Sequence, residues 1–161
     1  MGSRPTAFEA IRGVPLFHSI SDEGIETLAG IAHEIQASSG DLLIQEGAQG
    51  DSMFVLAEGR VVVTKRGNHG SDERIVSLGP GNHVGLNALV EAAPRSANVL
   101  AGDKGAILYE IRFDALESLL ETDVALAALF WRAAAKGLSR HLRRATTDAV
   151  VLRALIRAQQ E

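Results

Sequence analysis

Between Ile35 and Ile111 the chain is a succession of short β-prone runs separated by turn signals, and on either side the apolar residues recur at helical spacing. The runs are Leu42 to Ile44, Met53 to Leu56, Val61 to Thr64, Ile75 to Leu78, Ala97 to Leu100 and Ile107 to Ile111. Between them lie Ser39-Gly40-Asp41, Gly47, Gly50-Asp51, Glu58-Gly59, Gly67-Asn68, Gly79-Pro80-Gly81 and Gly102-Asp103. Such clusters favour turns, because glycine takes a positive φ without steric cost. The spacing predicts stacked hairpins in an all-β barrel or roll. One stretch breaks the texture: Gly85 to Glu91, with Asn87, Ala88, Leu89 and Val90, predicts a short helical turn ahead of Pro94.

The flanks complete an α+β fold. Phe8, Ile11, Val14 and Leu16-Phe17, then Ile25, Leu28, Ile31 and Ala32, predict two short helices interrupted by Pro15. Ser21 is the expected cap of the second, with Asp22 and Glu23 in the first turn, where the helix dipole favours negative charge. After Ile111, Phe113-Asp114 opens a helix through Leu116, Leu119 and Leu120. A longer run begins at Thr122-Asp123, in which Val124, Ala128, Trp131, Ala135, Leu138, Leu142, Ala145, Ala149, Leu152 and Ile156 alternate steps of four and three. That is a heptad pattern, open to two readings: a helix folded back on its own roll, or the seam of a homodimer, which is the reading preferred. Thr146-Thr147-Asp148 either continues this helix or caps a new one. The expected division is 1–13 as N-terminal tail or helix, 14–121 as roll with flanking helices, and 122–161 as a long C-terminal helical segment.

Composition removes several functions. With 161 residues the chain is one domain, and without cysteine it has no disulfide framework, zinc-thiolate site or thiol nucleophile. Sixteen Lys and Arg against twenty Asp and Glu argue against nucleic-acid binding through overall positive charge. Arg140, Arg143, Arg144, Arg153 and Arg157 make the last helix basic, which reads as a solvated face. His18, His33, His69, His83 and His141 show no metal-ligand spacing, and no nucleophile motif is present, so neither a metal site nor an enzyme is expected. The N-terminus lacks the apolar core of a signal peptide, and the longest apolar run, Val124 to Trp131, is far short of a membrane span. Cytoplasmic residence is the expectation, as a free domain or as the cytosolic part of a membrane protein.

Two stretches then carry a resemblance. Leu43 to Gly59, LIQEGAQGDSMFVLAEG, and Val84 to Val99, VGLNALVEAAPRSANV, resemble the glycine-punctuated hairpin and the phosphate-binding cassette of the cyclic nucleotide-binding domain family. The resemblance covers about residues 14 to 145. It implies an α+β fold built on an antiparallel, jelly-roll-like β-roll and a non-catalytic sensor for cAMP or cGMP, with Gly85, Leu86, Asn87, Ala88, Arg95 and Ser96 at the ligand and no separate cofactor. The physical logic of the cassette is a short helix pointing free backbone N–H groups at an anion, closed over by one arginine. Arg95 is that arginine, Ser96 adds a donor, and Pro94 fixes the turn that delivers them.

The cassette departs from the family where Leu86 stands in place of the glutamate that accepts a bond from the ribose hydroxyl, and where Val84 replaces an aromatic residue. Losing a hydrogen bond to a charged group forfeits roughly 1.5–3 kcal/mol, about a tenfold to hundredfold in affinity. The alternative is therefore a degenerate roll that binds no cyclic mononucleotide and serves as an interaction or oligomerisation module. A cyclic dinucleotide stays open as a third ligand. With no recognition helix after Glu161, DNA binding by this chain alone is not expected, and the output partner is a parent channel, transporter or other effector.

Overall fold

The computed structural model describes residues 4–67 and 70–158. Met1 to Ser3, His69 and the Asn68 half of the Gly67-Asn68 signal lie outside the described residues. Thr6 opens helix α1 (Ala7–Arg12) with a reciprocal capping box to Glu9, and Ser21 caps α2 (Asp22–Gly30) by accepting from the Gly24 N–H. Pro15 breaks the two apart with a single 3-10 turn, Pro15–Phe17. Ile31 and Ala32 were expected to extend the second helix; instead α2 ends at Gly30 and Ala32 opens a strand. Pairing of Ala32 with Ile111 outweighs local periodicity there.

Six strands form one antiparallel sheet: β1 (Ala32–Ala37), β2 (Leu42–Ile44), β3 (Ser52–Arg66), β4 (Asp72–Leu78), β5 (His83–Val84) and β6 (Asn98–Arg112). The main path is β1-β6-β3-β4, with β2 added to β6 and β5 to β3. The signals Glu58-Gly59 and Gly102-Asp103 are not hairpin turns. They lie inside two strands of fifteen residues each, β3 and β6. The β3–β6 register shifts between Leu56 and Glu58 and again between Gly59 and Val61. Gly59 has φ 73°, and a Cβ on it would come 2.3 Å from the Gly105 carbonyl oxygen, so the glycine serves a bulge that bends the sheet.

β3 alternates between two cores, as the period-two rule requires. Met53, Val55 and Ala57 face the helices, packing with Ile11, Phe17, Ile25, Leu28, Leu116 and Phe130. Phe54, Leu56 and Val61 fill the roll with Val84, Val99 and Leu108. Between β5 and β6 lies the helix read from the sequence, α3 (Leu86–Glu91), started by Gly85 at φ 92° and stopped by Ala92 at φ 50°. After β6 come α4 (Phe113–Thr122) and α5 (Val124–Ala158), the latter capped by Asp123 accepting from the Leu126 N–H. Thr146 and Thr147 do not interrupt α5; their hydroxyls donate back to the carbonyls of Leu142 and Arg143.

The face of α5 that packs on the N-terminal helices and the helix-side core is Leu126, Phe130, Ala133, Ala134 and Gly137, with Phe130 stacked on Phe17 at 6.2 Å. The heptad face is a different one. Leu142 is 70% exposed there, while Trp131, at 41%, and Leu138 are partly covered within the chain. No described helix is long and apolar enough to cross a membrane.

Candidate functional site

Arg95 is held by both stretches that the sequence singled out. Its backbone N–H donates to the Ala48 carbonyl at 2.8 Å, and its carbonyl accepts from the Gly47 N–H at 2.9 Å. Its guanidinium donates from Nη1 to the Gly85 carbonyl at 2.9 Å and from Nη2 to the Ser52 carbonyl at 2.6 Å. Two glycines make the channel for this side chain. A Cβ on Gly50 would lie 2.9 Å from Arg95 Nε and 2.4 Å from the Ala88 Cβ; one on Gly85 would lie 2.7 Å from Nη1. Gly50 is therefore more than a turn former: it gives Arg95 its path.

The arginine is 8% exposed, and no carboxylate of the described residues forms a salt bridge with it. Burial lowers its pKa from the ordinary value, against the more distant Asp51 and Glu110, which raise it. A guanidinium has five N–H donors, and two backbone acceptors leave donors free for an anion. Glu91, the nearest acidic residue in the sequence, forms no ion pair with it.

Beside Arg95 is a cavity of about 220 Å³ whose walls include Gly85, Leu86, Asn87, Ala88, Arg95 and Ser96. All six residues named from the sequence thus meet at one place. Their surroundings differ. Asn87 and Ser96 are exposed, Ala88 is buried, and Leu86 is 4% exposed and packs into the helix-side core. The Ser96 carbonyl accepts from Lys65 Nζ at 3.1 Å.

Three contributors escaped sequence reasoning. His83, one residue before Val84, lines the cavity, and so does His141 from α5, which brings the C-terminal helix to the site. Burial, followed by the charges of His141 and Arg140, pushes the His83 pKa down to about 4. Phe113 is the third, its ring 5.8 Å from the Arg95 guanidinium carbon. Nothing marked these residues in the sequence except, for Phe113, its place as the first residue of a helix. The cavity wall carries Arg95 and two imidazoles against a single carboxylate, Glu91. Among the described residues no group of three or more His, Asp or Glu is arranged to hold a metal.

The sequence model of the "Cyclic nucleotide-binding domain" matches residues 34–123, more than half of the chain and all of the cassette. The chain belongs to the cyclic nucleotide-binding domain family. Among relatives of this domain, a cyclic nucleotide-gated potassium channel of Rhizobium etli is 30% identical over 113 residues, covering 69% of this chain and 30% of the channel. A cGMP-dependent protein kinase, isozyme 1, of Drosophila melanogaster is 29% identical over 112 residues, covering 68% of this chain and 15% of the kinase. The chain thus spans under a third of the length of either relative.

Solved structures agree on the fold of the domain. The N-terminal domain of a transcriptional regulator from Streptomyces coelicolor superposes with a TM-score of 0.74 at 26% identity, covering 82% of this chain and 94% of that one. The Thermus thermophilus catabolite activator protein gives 0.75 at 22% identity, covering 86% and 62%. The antiparallel roll with flanking helices is the shared architecture.

Proposed function

We propose that this domain is a non-catalytic sensor that captures a cyclic nucleotide, cAMP or cGMP, by its phosphate. The observation that carries this reading is Arg95: a buried guanidinium with no counter-charge in contact, at the wall of a cavity. A buried unpaired cation is costly, and a phosphate anion reached by its free N–H groups offsets that cost with charge-assisted hydrogen bonds. Leu86 offers no acceptor to the ribose hydroxyl, so phosphate dominates the recognition and affinity is about tenfold to hundredfold below that of a cassette with a carboxylate there.

The relay runs from Arg95 to α4. Ser52, whose carbonyl holds Arg95, follows Asp51, whose carbonyl accepts from the Phe113 N–H at 2.8 Å. Phe113 is the first residue of α4 and lies against the guanidinium. An anion that draws Arg95 toward the cavity changes its contacts at Ser52 and Phe113 together, and with them the populations open to α4 and α5. The unburied heptad face of α5 then joins two copies of the domain, and a fused effector in the cytoplasm, such as a channel or kinase, reads the result.

A second reading is supported by Leu86 and by the cavity itself. At about 220 Å³ it is below the usual range of roughly 300–1,000 Å³ for ligand pockets. A roll closed by its own core would be an interaction module without a small ligand. Calorimetric titration with cAMP, cGMP and cyclic di-GMP decides between the two. Saturable heat with a mononucleotide supports the sensor, and heat with none of the three supports the module.

A further inference from the structure

From Ser139 to Ala158 every residue of α5 is exposed, and beyond His141, which lines the cavity, about 25 Å of helix stands clear of the roll. The stripe that packs on the helix-side core, Leu126, Phe130, Ala133 and Gly137, continues beyond it as Arg140, Arg144, Thr147 and Val151. Arginine replaces apolar residues where the core ends. Charge is segregated along the chain. Between 124 and 158 there are seven cations, Arg132, Lys136, Arg140, Arg143, Arg144, Arg153 and Arg157, and one carboxylate, Asp148. The rest of the chain holds nine Lys and Arg against nineteen Asp and Glu.

This face is exposed, as the sequence reading has it, but its charge pattern is not that of a self-sufficient helix. A free helix normally supports itself with opposite charges four residues apart, whereas here like charges recur at that spacing: Arg132 with Lys136, Lys136 with Arg140, Arg140 with Arg144, Arg153 with Arg157. None of the seven cations forms a salt bridge with a carboxylate of the described residues. A dense anionic partner would relieve this repulsion.

Apolar residues decide which partner. Val150, Val151 and Leu155 are exposed outside the heptad seam and beside the arginines, Leu155 at 58%. A nucleic-acid backbone offers nothing for these side chains, whereas an anionic bilayer surface offers headgroups to the arginines and an acyl boundary to the apolar residues. We infer that residues 139–158 of α5 dock on an anionic lipid surface, lying in its plane. Leu142, Leu152 and Ile156 enter the same boundary, so lipid docking and dimerisation through the seam compete for the helix.

The test is flotation of the full chain, without nucleotide, on vesicles of phosphatidylcholine alone and of phosphatidylcholine with phosphatidylserine. Binding is expected on the anionic vesicles only, and is expected to weaken as salt rises. Each arginine near such a surface contributes about a factor of five, so Arg143→Glu, Arg144→Glu and Arg153→Glu together reduce partitioning at least about 100-fold. These positions do not touch the roll, and an unchanged melting temperature shows the variant folded. Leu155→Ser, which leaves every charge in place, weakens the same binding. No binding to anionic vesicles, equal binding to neutral ones, retention by the triple variant, or full competition by duplex DNA without any effect of Leu155→Ser each overturns the inference. Because no nucleotide is present, the outcome is independent of whether the cavity binds one.

Discussion

The Arg95 guanidinium lies 5.8 Å from the ring centre of Phe113, so the one buried cation beside the cavity rests against the first residue of the helix leading to the C-terminus. A site and an output element share this contact. Phe113→Leu keeps the core apolar but removes the aromatic face, which is worth about 0.5–2 kcal/mol to a cation. Nucleotide affinity by calorimetry is expected to change less than about tenfold. The nucleotide-induced change in fluorescence of Trp131, the single tryptophan, is expected to vanish. Loss of affinity with the fluorescence change intact would break the proposed route.

A pH dependence follows from His83. Its folded-state pKa of about 4 lies below the ordinary 6.5, so as pH falls the unfolded chain takes up the proton first and stability is lost between about pH 6.5 and pH 4. Between pH 7 and pH 5 the loss from this group is about 2 kcal/mol. Denaturant unfolding of wild type and His83→Gln at the two pH values measures it. The variant lacks that component, and an equal loss in both proteins would show that His83 is not its source.

Gly50→Ala tests how Arg95 is seated. The added carbon falls 2.4 Å from the Ala88 Cβ, and neither backbone can yield cheaply, so a stability loss of about 1–3 kcal/mol is expected together with weaker nucleotide binding. Thermal melts and calorimetry report the two effects. A variant with wild-type stability would mean that the channel between Gly50 and Gly85 is wider than its geometry shows.

Much of this arrangement was legible in the sequence, and the failures have physical reasons. The cassette helix stood out because Gly85 and Pro94 bound a stretch with no strand character, and Arg95 because that stretch resembles the family's phosphate-binding cassette. Glu58-Gly59 misled because glycine marks a bulge and a turn with the same φ preference, and Gly102-Asp103 because its place inside β6 is set by pairing with β3; only cross-strand pairing separates these cases from turns. On α5, Leu126, Phe130, Ala133 and Gly137 follow the same four-three spacing as Trp131, Ala135, Leu138 and Leu142. Periodicity names both stripes and cannot choose the one that meets the roll. Ile31 and Ala32 fell to long-range pairing with β6, which local spacing does not register.

The unburied stripe makes the oligomer testable. Leu138→Asp with Leu142→Asp places two charges in the proposed seam, a penalty of several kcal/mol in an interface of mostly small residues. Light scattering over a dilution series is expected to show a dimer for wild type and a monomer for the variant; Leu142 is 70% exposed in the single chain, whereas Leu138 is half-buried and accounts for any fall in melting temperature. A wild type that stays monomeric at high concentration would rule the seam out.

The central claim is that Arg95 binds the phosphate of a cyclic nucleotide, and calorimetric titration of cAMP and cGMP into wild type and Arg95→Ala tests it most directly. The account predicts saturable binding to wild type and a loss of at least about 100-fold in the variant, since the phosphate loses its charged partner. Equal affinity in the two proteins would place the anion elsewhere and contradict the account.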